Sequence, residues 1–199
     1  MLRVNVNLKS GWQHWNAKRN TRMIYEIKYW PNQCLKKVAK EVSEFDLAEI
    51  NDLIANLFET MYTGRGMGLA ATQCNIDMRV LVIDTTQIGG KYKQAFINPV
   101  IKERTEKTII SEEGCLSFPG IFVNVERVDG VVVEHTTLTG ETEEAIMNGV
   151  DAICFQHELD HLNGIVFYDH LKAAKRQMVE AKVRKNVKKI MRLENKHAI

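Results

Sequence analysis

The chain has 199 residues, of which 45% are hydrophobic and 26% are charged, and its formal net charge is +2. This balance is typical of a soluble globular protein, and the length suffices for one domain with a sizeable core. No apolar run approaches the ~20 residues that a membrane-spanning helix needs, so we expect no membrane partner. The four cysteines are widely spaced, which favours free thiols in a reducing compartment over a secreted disulfide framework.

Residues 1–22 differ from the rest of the chain because they carry five basic residues and no acidic one. Three interpretations of this basic extension remain open: a disordered tail, an organellar transit peptide, or an upstream start codon with Met23 as the true first residue. A transit peptide is usually richer in serine, which favours the other two. Neither an internal repeat nor a linker divides the remainder, so we expect residues 23–199 to form a single domain.

The first predicted helix begins near Asp46, a good N-cap residue with Glu49 three positions further on. Apolar residues then recur at helical spacing from Leu47 to Met61, and Gly64 is a natural end. The stretch GMGLAATQ follows at residues 66–73. Its glycines allow a ligand to approach the backbone closely, although small residues packing at the start of a helix would give the same pattern.

The middle of the chain shows short apolar or alternating runs that are typical of strands. These runs are residues 78–84, 95–101, 106–110, 123–126, 131–136 and 142–147. Thr139 and Gly140 favour a hairpin between the last two runs, and Pro99 implies an edge strand or a bulge. Because few helices separate the strands, the pattern predicts an α+β fold with antiparallel sheets rather than a doubly wound parallel sheet.

The stretch HELDH at residues 157–161 matches the metal-binding pattern HExxH. Histidines four residues apart lie on one face of a helix, where both imidazoles can bind one metal ion. Glu158 would then lie within reach of a metal-bound water. The apolar residues before His157 share its helix face, so we expect the histidines to point into the protein. Two surface histidines on an ordinary helix are the alternative interpretation.

A catalytic metal site usually has three protein ligands and one open position, so a third ligand is needed. In the metzincin pattern HExxHxxGxxH, Gly164 fits the glycine, but Phe167 occupies the place of the third histidine. A thermolysin-like protease would use a later glutamate, and only Glu180 and Glu194 follow. A zincin-type metalloprotease therefore stays the alternative enzyme. Cys115, within EGCLS, is a better candidate because a thiolate binds zinc and ferrous iron strongly.

A structural zinc in a non-enzymatic binding module is a further alternative. Such a site normally closes its fourth position with another protein ligand, and no fourth cysteine or histidine lies near these motifs. Cys34 and Cys74 are more simply interpreted as small buried hydrophobic residues. Cys154 shares the helix face of His157, which predicts a place in the wall of the pocket.

Together, GMGLAATQ, EGCLS and HELDH resemble the three motifs of peptide deformylase, in the expected order and separation. The resemblance covers residues 23–196 and implies a hydrolase that removes the N-formyl group from the N-terminal methionine of newly synthesised polypeptides. It also implies antiparallel sheets packed around a central helix that carries HExxH. The implied metal ligands are Cys115, His157 and His161.

The resemblance assigns further roles to residues in the motifs. Glu158 acts as the general base, while the Gln73 amide and the Leu116 backbone N–H stabilise the oxyanion. The cofactor is one divalent metal ion, ferrous iron as the native metal, with Zn²⁺, Ni²⁺ or Co²⁺ as replacements. The expected substrate-binding residues are Gly66, Met67, Gly68, Gly114, Val150, Ile153 and Cys154. The apolar members, with Leu116, would line a slot for the methionine side chain.

A long helical pattern starts near residue 170 and is strongly basic. Residues 172–199 carry ten lysines and arginines, opposed only by Glu180 and Glu194, while Val179, Val183 and Val187 form a narrow apolar seam with Ile190. This bias favours a polyanionic partner. Bacterial deformylases dock on the ribosome through a similar C-terminal helix, so we expect contact with ribosomal RNA through residues 182–192. A solubilising tail is the alternative. We expect a monomer in the bacterial cytoplasm, or in an organelle if residues 1–22 are a transit peptide.

Overall fold

The computed structural model describes residues 23–43 and 49–197. The basic extension of residues 1–22 and the predicted N-cap Asp46 lie outside these described residues. The helices are α1 Ile50–Thr63, α2 Val150–Leu162 and α3 Ala173–His197. The strands are β1 Gly68–Ala70, β2 Val80–Asp84, β3 Lys93–Arg104, β4 Thr108–Gly114, β5 Phe122–Val128, β6 Gly130–Thr136 and β7 Thr142–Asn148.

The strands form two separate antiparallel sheets. The larger sheet has five strands in the order β1-β2-β3-β6-β7, and β4 pairs with β5 in a two-stranded sheet. The prediction of helices combined with antiparallel sheets is therefore confirmed. The predicted β6–β7 hairpin is also present, with Gly140 at a φ of 83° in its turn. Along the sequence, the β4–β5 hairpin is inserted between β3 and β6, which are neighbours in the larger sheet. Cys115 follows directly after β4.

Pro99 marks a bulge within a central strand and not an edge, because β3 pairs with β2 on one side and β6 on the other. The register shifts between Ile97 and Val100, and Asn98 takes a left-handed φ of 49°. The Val42 N–H donates to Asn98 Oδ1 at 2.8 Å, and Asn98 Nδ2 donates to the Val42 carbonyl at 2.9 Å. The Asn98 side chain thus pairs with both backbone groups of Val42 and anchors that segment to β3.

The helix α1 ends at Gly64 as predicted, but Gly64 itself has a right-handed φ of −73°. The left-handed residue is Arg65, with a φ of 59°, just before the GMGLAATQ stretch. At the other end, Glu49 occupies the N-cap position and makes no side-chain capping hydrogen bond. The predicted capping box therefore finds no support in Glu49.

The helix α2 is buried along most of its length and packs against β1, β2, β5 and β7. Its apolar side chains, among them Phe155 and Leu159, pack with Phe96 and Met147 of the larger sheet. Burial of this kind stabilises the fold by about 25 cal/mol for each Å² of apolar surface removed from water. The packing fixes α2 so that its remaining face, with His157, is turned toward Cys115.

The predicted apolar seam of α3 is present, because Val179, Val183 and Val187 are buried in a cluster that includes Phe118. Ile190 is only half-buried. Among the described residues α3 is the longest helix, at 25 residues. Neither α3 nor another helix of these residues has an apolar stretch that could span a bilayer. All four cysteines are free thiols, and Cys34 and Cys74 are buried.

Substituting Asn98→Ala should lower the free energy of unfolding by about 2 kcal/mol, because it removes two hydrogen bonds and places alanine at a positive φ. Urea unfolding measures the change. The matched variant Asn98→Gly loses the same hydrogen bonds but tolerates the left-handed backbone, so its loss should be smaller. An Asn98→Ala protein with the wild-type urea midpoint would contradict the anchoring role of this side chain.

Candidate metal centre

The stretch HELDH occupies the last turns of α2 and lies below the protein surface. His157, Glu158 and His161 are all buried, with Glu158 only 4% exposed. Cys115 follows β4, whose sheet packs over α2, and its side chain is half-buried. Local helical spacing therefore aligns the two histidines, while the β4–β5 hairpin brings the thiol to them from another part of the chain.

Cys115, His157 and His161 can hold one metal ion, because their ligand atoms all lie within 4.8 Å of one another. The Cys115 Sγ lies 3.2 Å from His161 Nε2. Burial lowers the pKa of His161 well below its ordinary value, which keeps the imidazole neutral as metal binding requires. One sulfur and two imidazole nitrogens suit zinc or ferrous iron and leave a coordination position open for a reactant.

Glu158 follows His157 in α2 and is buried. Burial raises the pKa of Glu158 to about 7, and its Oε2 accepts no hydrogen bond from the described part of the chain. A buried oxygen without a partner fits a site that receives a water molecule or substrate group. Gly68 of β1 packs against Glu158, since a Cβ at Gly68 would lie 2.5 Å from Glu158 Oε1. The glycine thus makes room for the carboxyl group.

Gln73 is buried in the short 3-10 helix Ala71–Cys74, and hydrogen bonds fix the direction of its amide. The Ala70 N–H donates to Gln73 Oε1 at 2.9 Å, which turns Nε2 the opposite way. Nε2 lies 3.2 Å from Ser117 Oγ and 3.6 Å from Cys115 Sγ. The amide N–H groups of Gln73 therefore face the thiol, where a developing negative charge could be stabilised.

A chain of polar contacts orients His157. The His157 Nδ1–H donates to Glu113 Oε2 at 2.8 Å, which leaves Nε2 for a metal ion. Arg127 donates to both oxygens of Glu113, at 2.7 and 3.0 Å, and its Nη1 donates to Asp160 Oδ2 at 2.6 Å. Burial opposes ionisation of Glu113, but the bonds from His157 and Arg127 outweigh it and lower the pKa of Glu113. We call His157, Glu113, Arg127 and Asp160 the ligand-orienting chain.

Sequence reasoning assigned no role to Glu113 or Asp160, although both lie within recognised motifs, and it missed Arg127. One signal was available in β5. Val123 and Val125 alternate with exposed residues, so Arg127 falls on their inward face. A charged residue in a buried register must be paired, because an isolated buried charge is too costly. The pattern could have predicted a buried ion pair, but not its partners, which come from β4 and α2.

The predicted substrate-binding residues belong to the GMGLAATQ stretch, to the end of β4 and to α2. Gly66 packs under Leu116, whose Cδ1 would be 2.8 Å from a Cβ at that glycine. The Cys154 thiol donates to the Met67 carbonyl at 3.6 Å, so α2 contacts the GMGLAATQ stretch.

Val150 and Ile153 are half-buried in the first turns of α2. At the end of β4, Gly114 is exposed, and the ring of Phe122 would lie 2.7 Å from a Cβ there.

Two positions that a zincin-type protease would use for its third ligand have other roles in this structure. Glu180 accepts a hydrogen bond from Arg184 Nη2 at 2.7 Å within α3. Phe167 is buried in the apolar cluster below His157. The structure thus favours Cys115 as the third ligand.

Comparison with known proteins agrees with this geometry. The family model described as polypeptide deformylase matches residues 24–177. A peptide deformylase of Aquifex aeolicus is 45% identical over 168 residues, covering 83% of this chain and 98% of that protein. The crystal structure of a peptide deformylase from Legionella pneumophila has a TM-score of 0.77 and 38% identity, covering 87% of this chain and 98% of its own.

A class I type b peptide deformylase from Acinetobacter baumannii, solved with Met-Ala-Ser bound, has a TM-score of 0.70 and 30% identity. That match covers 76% of this chain and 100% of the solved one. The family match spans the three motifs and all three candidate ligands. The chain belongs to the polypeptide deformylase family and is an enzyme that removes the N-formyl group from nascent polypeptides.

Proposed function

We propose that Cys115, His157 and His161 hold a ferrous ion at which the formyl group of a nascent formyl-methionyl chain is hydrolysed. The observation that carries the proposal is the convergence of one thiol and two imidazole nitrogens within 4.8 Å, beside a buried carboxyl group. Zn²⁺, Ni²⁺ or Co²⁺ can replace the iron because the same donors suit them. A thiolate ligand to ferrous iron also makes the enzyme sensitive to oxygen.

The bound metal ion would act as a Lewis acid toward the formyl carbonyl and lower the pKa of a water molecule. Glu158 accepts a proton from the attacking water and returns it to the departing amine as the C–N bond breaks and formate leaves. Its pKa of about 7 suits both directions of transfer near neutral pH. Gln73 Nε2 and the Leu116 backbone N–H donate to the formyl oxygen as negative charge develops there.

The methionine side chain of the substrate occupies an apolar slot between α2 and the GMGLAATQ stretch. The contact between Cys154 and Met67 supports this position, because it joins the two walls. The slot is lined by Met67, Leu116, Val150, Ile153 and Cys154. The peptide backbone pairs with Gly66, Met67, Gly68 and Gly114 like an added strand. The relative solved with Met-Ala-Ser supports recognition of a peptide that begins with methionine.

The proposed substrate and metal site also bear on the cellular location, the domain organisation and the oligomeric state of the enzyme. Nascent chains emerge at ribosomes, so we place the enzyme in the bacterial cytoplasm, or in an organelle if residues 1–22 are a transit peptide. The family match to residues 24–177 supports one catalytic domain at residues 23–199, in which α2 is the central helix. We expect a monomer, because one chain supplies all three ligands.

The basic helix α3 docks this domain on ribosomal RNA. Its valines face the apolar core, so its basic side chains are turned outward. The exposed members used below are Lys185, Lys188, Lys189 and Arg192. Positive charge that faces outward and is opposed only by Glu180 and Glu194 is typical of a phosphate-binding surface.

Replacing Glu158→Ala should retain the metal and lower kcat by about 10²–10⁴-fold, the range for loss of a general acid–base group. Anaerobic hydrolysis of formyl-Met-Ala-Ser and metal analysis of the same sample measure the two properties. The control Glu112→Ala, on the exposed face of β4, should leave both unchanged. Loss of metal from the Glu158→Ala protein would instead identify Glu158 as a ligand.

Replacing Ile153→Trp should raise KM for formyl-Met peptides with little change in metal content, because the larger ring fills the methionine slot. The control Ile146→Trp places the same ring on an exposed position of β7. If kcat/KM is unchanged in the Ile153→Trp protein, Ile153 only packs the fold.

Replacing Lys185, Lys188, Lys189 and Arg192 with glutamate should abolish ribosome co-sedimentation at low salt while free formyl peptide is hydrolysed normally. Wild-type binding should weaken steeply with salt, because each phosphate contact releases counterions. The same number of charge reversals at exposed sites away from α3 serves as the control: Lys40, Lys102, Arg104 and Lys107. Sedimentation of the α3 variant with ribosomes at the wild-type level would show that α3 is not the docking element.

A further inference from the structure

The ligand-orienting chain does not end at Asp160. His170 is the last residue of the 3-10 helix Phe167–His170, which follows α2. Its Nε2–H donates to Asp160 Oδ2 at 2.7 Å, and the same nitrogen lies 3.3 Å from Arg127 Nη1. A series of side chains thus runs from His170 to the metal ligand His157.

His170 also differs from the other members in its access to solvent. Its side chain is 34% exposed, whereas those of Glu113 and Arg127 are buried. It lines a cavity of about 480 Å³ together with Arg127 and Asp160. The ligand-orienting chain, extended by His170, therefore runs from the metal centre to the solvent-accessible wall of this cavity.

The charges of the ligand-orienting chain explain why Asp160 needs a second hydrogen-bond donor. Glu113 and Asp160 are both carboxylates, and Arg127 is the single guanidinium that lies between them. One negative charge is left without a full counterpart in a largely buried position, which is costly unless another donor hydrogen-bonds to it. The His170 N–H supplies that bond, and it shares the acceptor Asp160 Oδ2 with Arg127 Nη1.

We propose that His170 is a positioning residue for the metal centre. By holding Asp160, it holds the guanidinium of Arg127, which in turn holds Glu113 against His157 Nδ1. Loss of the His170 bond lets Arg127 and Glu113 shift, so the imidazole of His157 is less well aligned with the ion. This inference rests on the proposed role of His157 as a ligand, and it concerns hydrogen bonding and not a change of protonation.

The test compares His170→Ala with His170→Gln, because the glutamine amide can donate to Asp160 and alanine cannot. The Co²⁺ and Zn²⁺ forms of each protein are prepared, and the rate of metal loss to a chelator is followed. Partners of metal ligands typically contribute 10–100-fold to metal affinity, and His170 is several side chains removed, so His170→Ala should release metal about 3–10-fold faster. His170→Gln should release it within about twofold of the wild-type rate.

The visible absorption of the Co²⁺ form provides a second readout, because its bands report ligand geometry directly. They should change in His170→Ala and recover in His170→Gln, while the melting temperatures of all forms stay similar. The control Lys36→Ala breaks the ion pair with Asp169, the neighbour of His170, without touching the chain. It should leave release rate and spectrum unchanged.

Two results would overturn the inference while leaving the proposed function intact. One is a His170→Ala protein that binds Co²⁺ with the wild-type spectrum and release rate. The other is a His170→Gln protein as impaired as His170→Ala, because the hydrogen-bond donor would then not be what matters. A wild-type protein that binds no metal would overturn the proposed function together with this inference.

Discussion

The buried ion pair between Arg127 and Glu113 is the interaction on which the site depends. Glu113 belongs to β4 and Arg127 to β5, and Arg127 also bonds Asp160 of α2, so one guanidinium joins the two-stranded sheet to the helix. The strand pair carries the cysteine, and the helix carries both histidines. Removing one partner from a buried pair costs about 3–5 kcal/mol because the other charge is left unpaired. Here the same loss would also separate the metal ligands.

Electrostatics and packing act on the two buried glutamates, Glu113 and Glu158, in different ways. Glu113 is kept ionised by its donors, so it can accept the proton-bearing nitrogen of His157. Within residues 23–43 and 49–197 no group donates to Glu158 Oε2, and burial raises the pKa of this carboxyl group to about 7. The surroundings of the two glutamates shift their pKa values in opposite directions, which suits Glu113 to orienting His157 and Glu158 to the proton transfer proposed above.

Much of this arrangement could be predicted from sequence, because it rests on short-range patterns. The alternation in β5 and the valine spacing in α3 gave the correct elements, and helical spacing gave the correct pairing of His157 with His161. The strand β1 was not predicted, because the three residues Gly68–Ala70 are too few to show the alternation of apolar and polar side chains that marks a strand. The contacts of Glu113 with Arg127 and His157 depend on how separate elements dock, which no local pattern encodes.

The placement of the β4–β5 hairpin has a consequence for how the protein moves. The five-stranded sheet completes its hydrogen bonds without any residue of this hairpin, because β3 pairs directly with β6. Opening of the hairpin would therefore leave the hydrogen bonds of the five-stranded sheet intact, while it would break the pair between Arg127 and Asp160. A metal ion bound at Cys115 would tie its end to α2 and slow amide hydrogen exchange there more than in the sheet. Metal binding would then also make the β4–β5 hairpin more rigid.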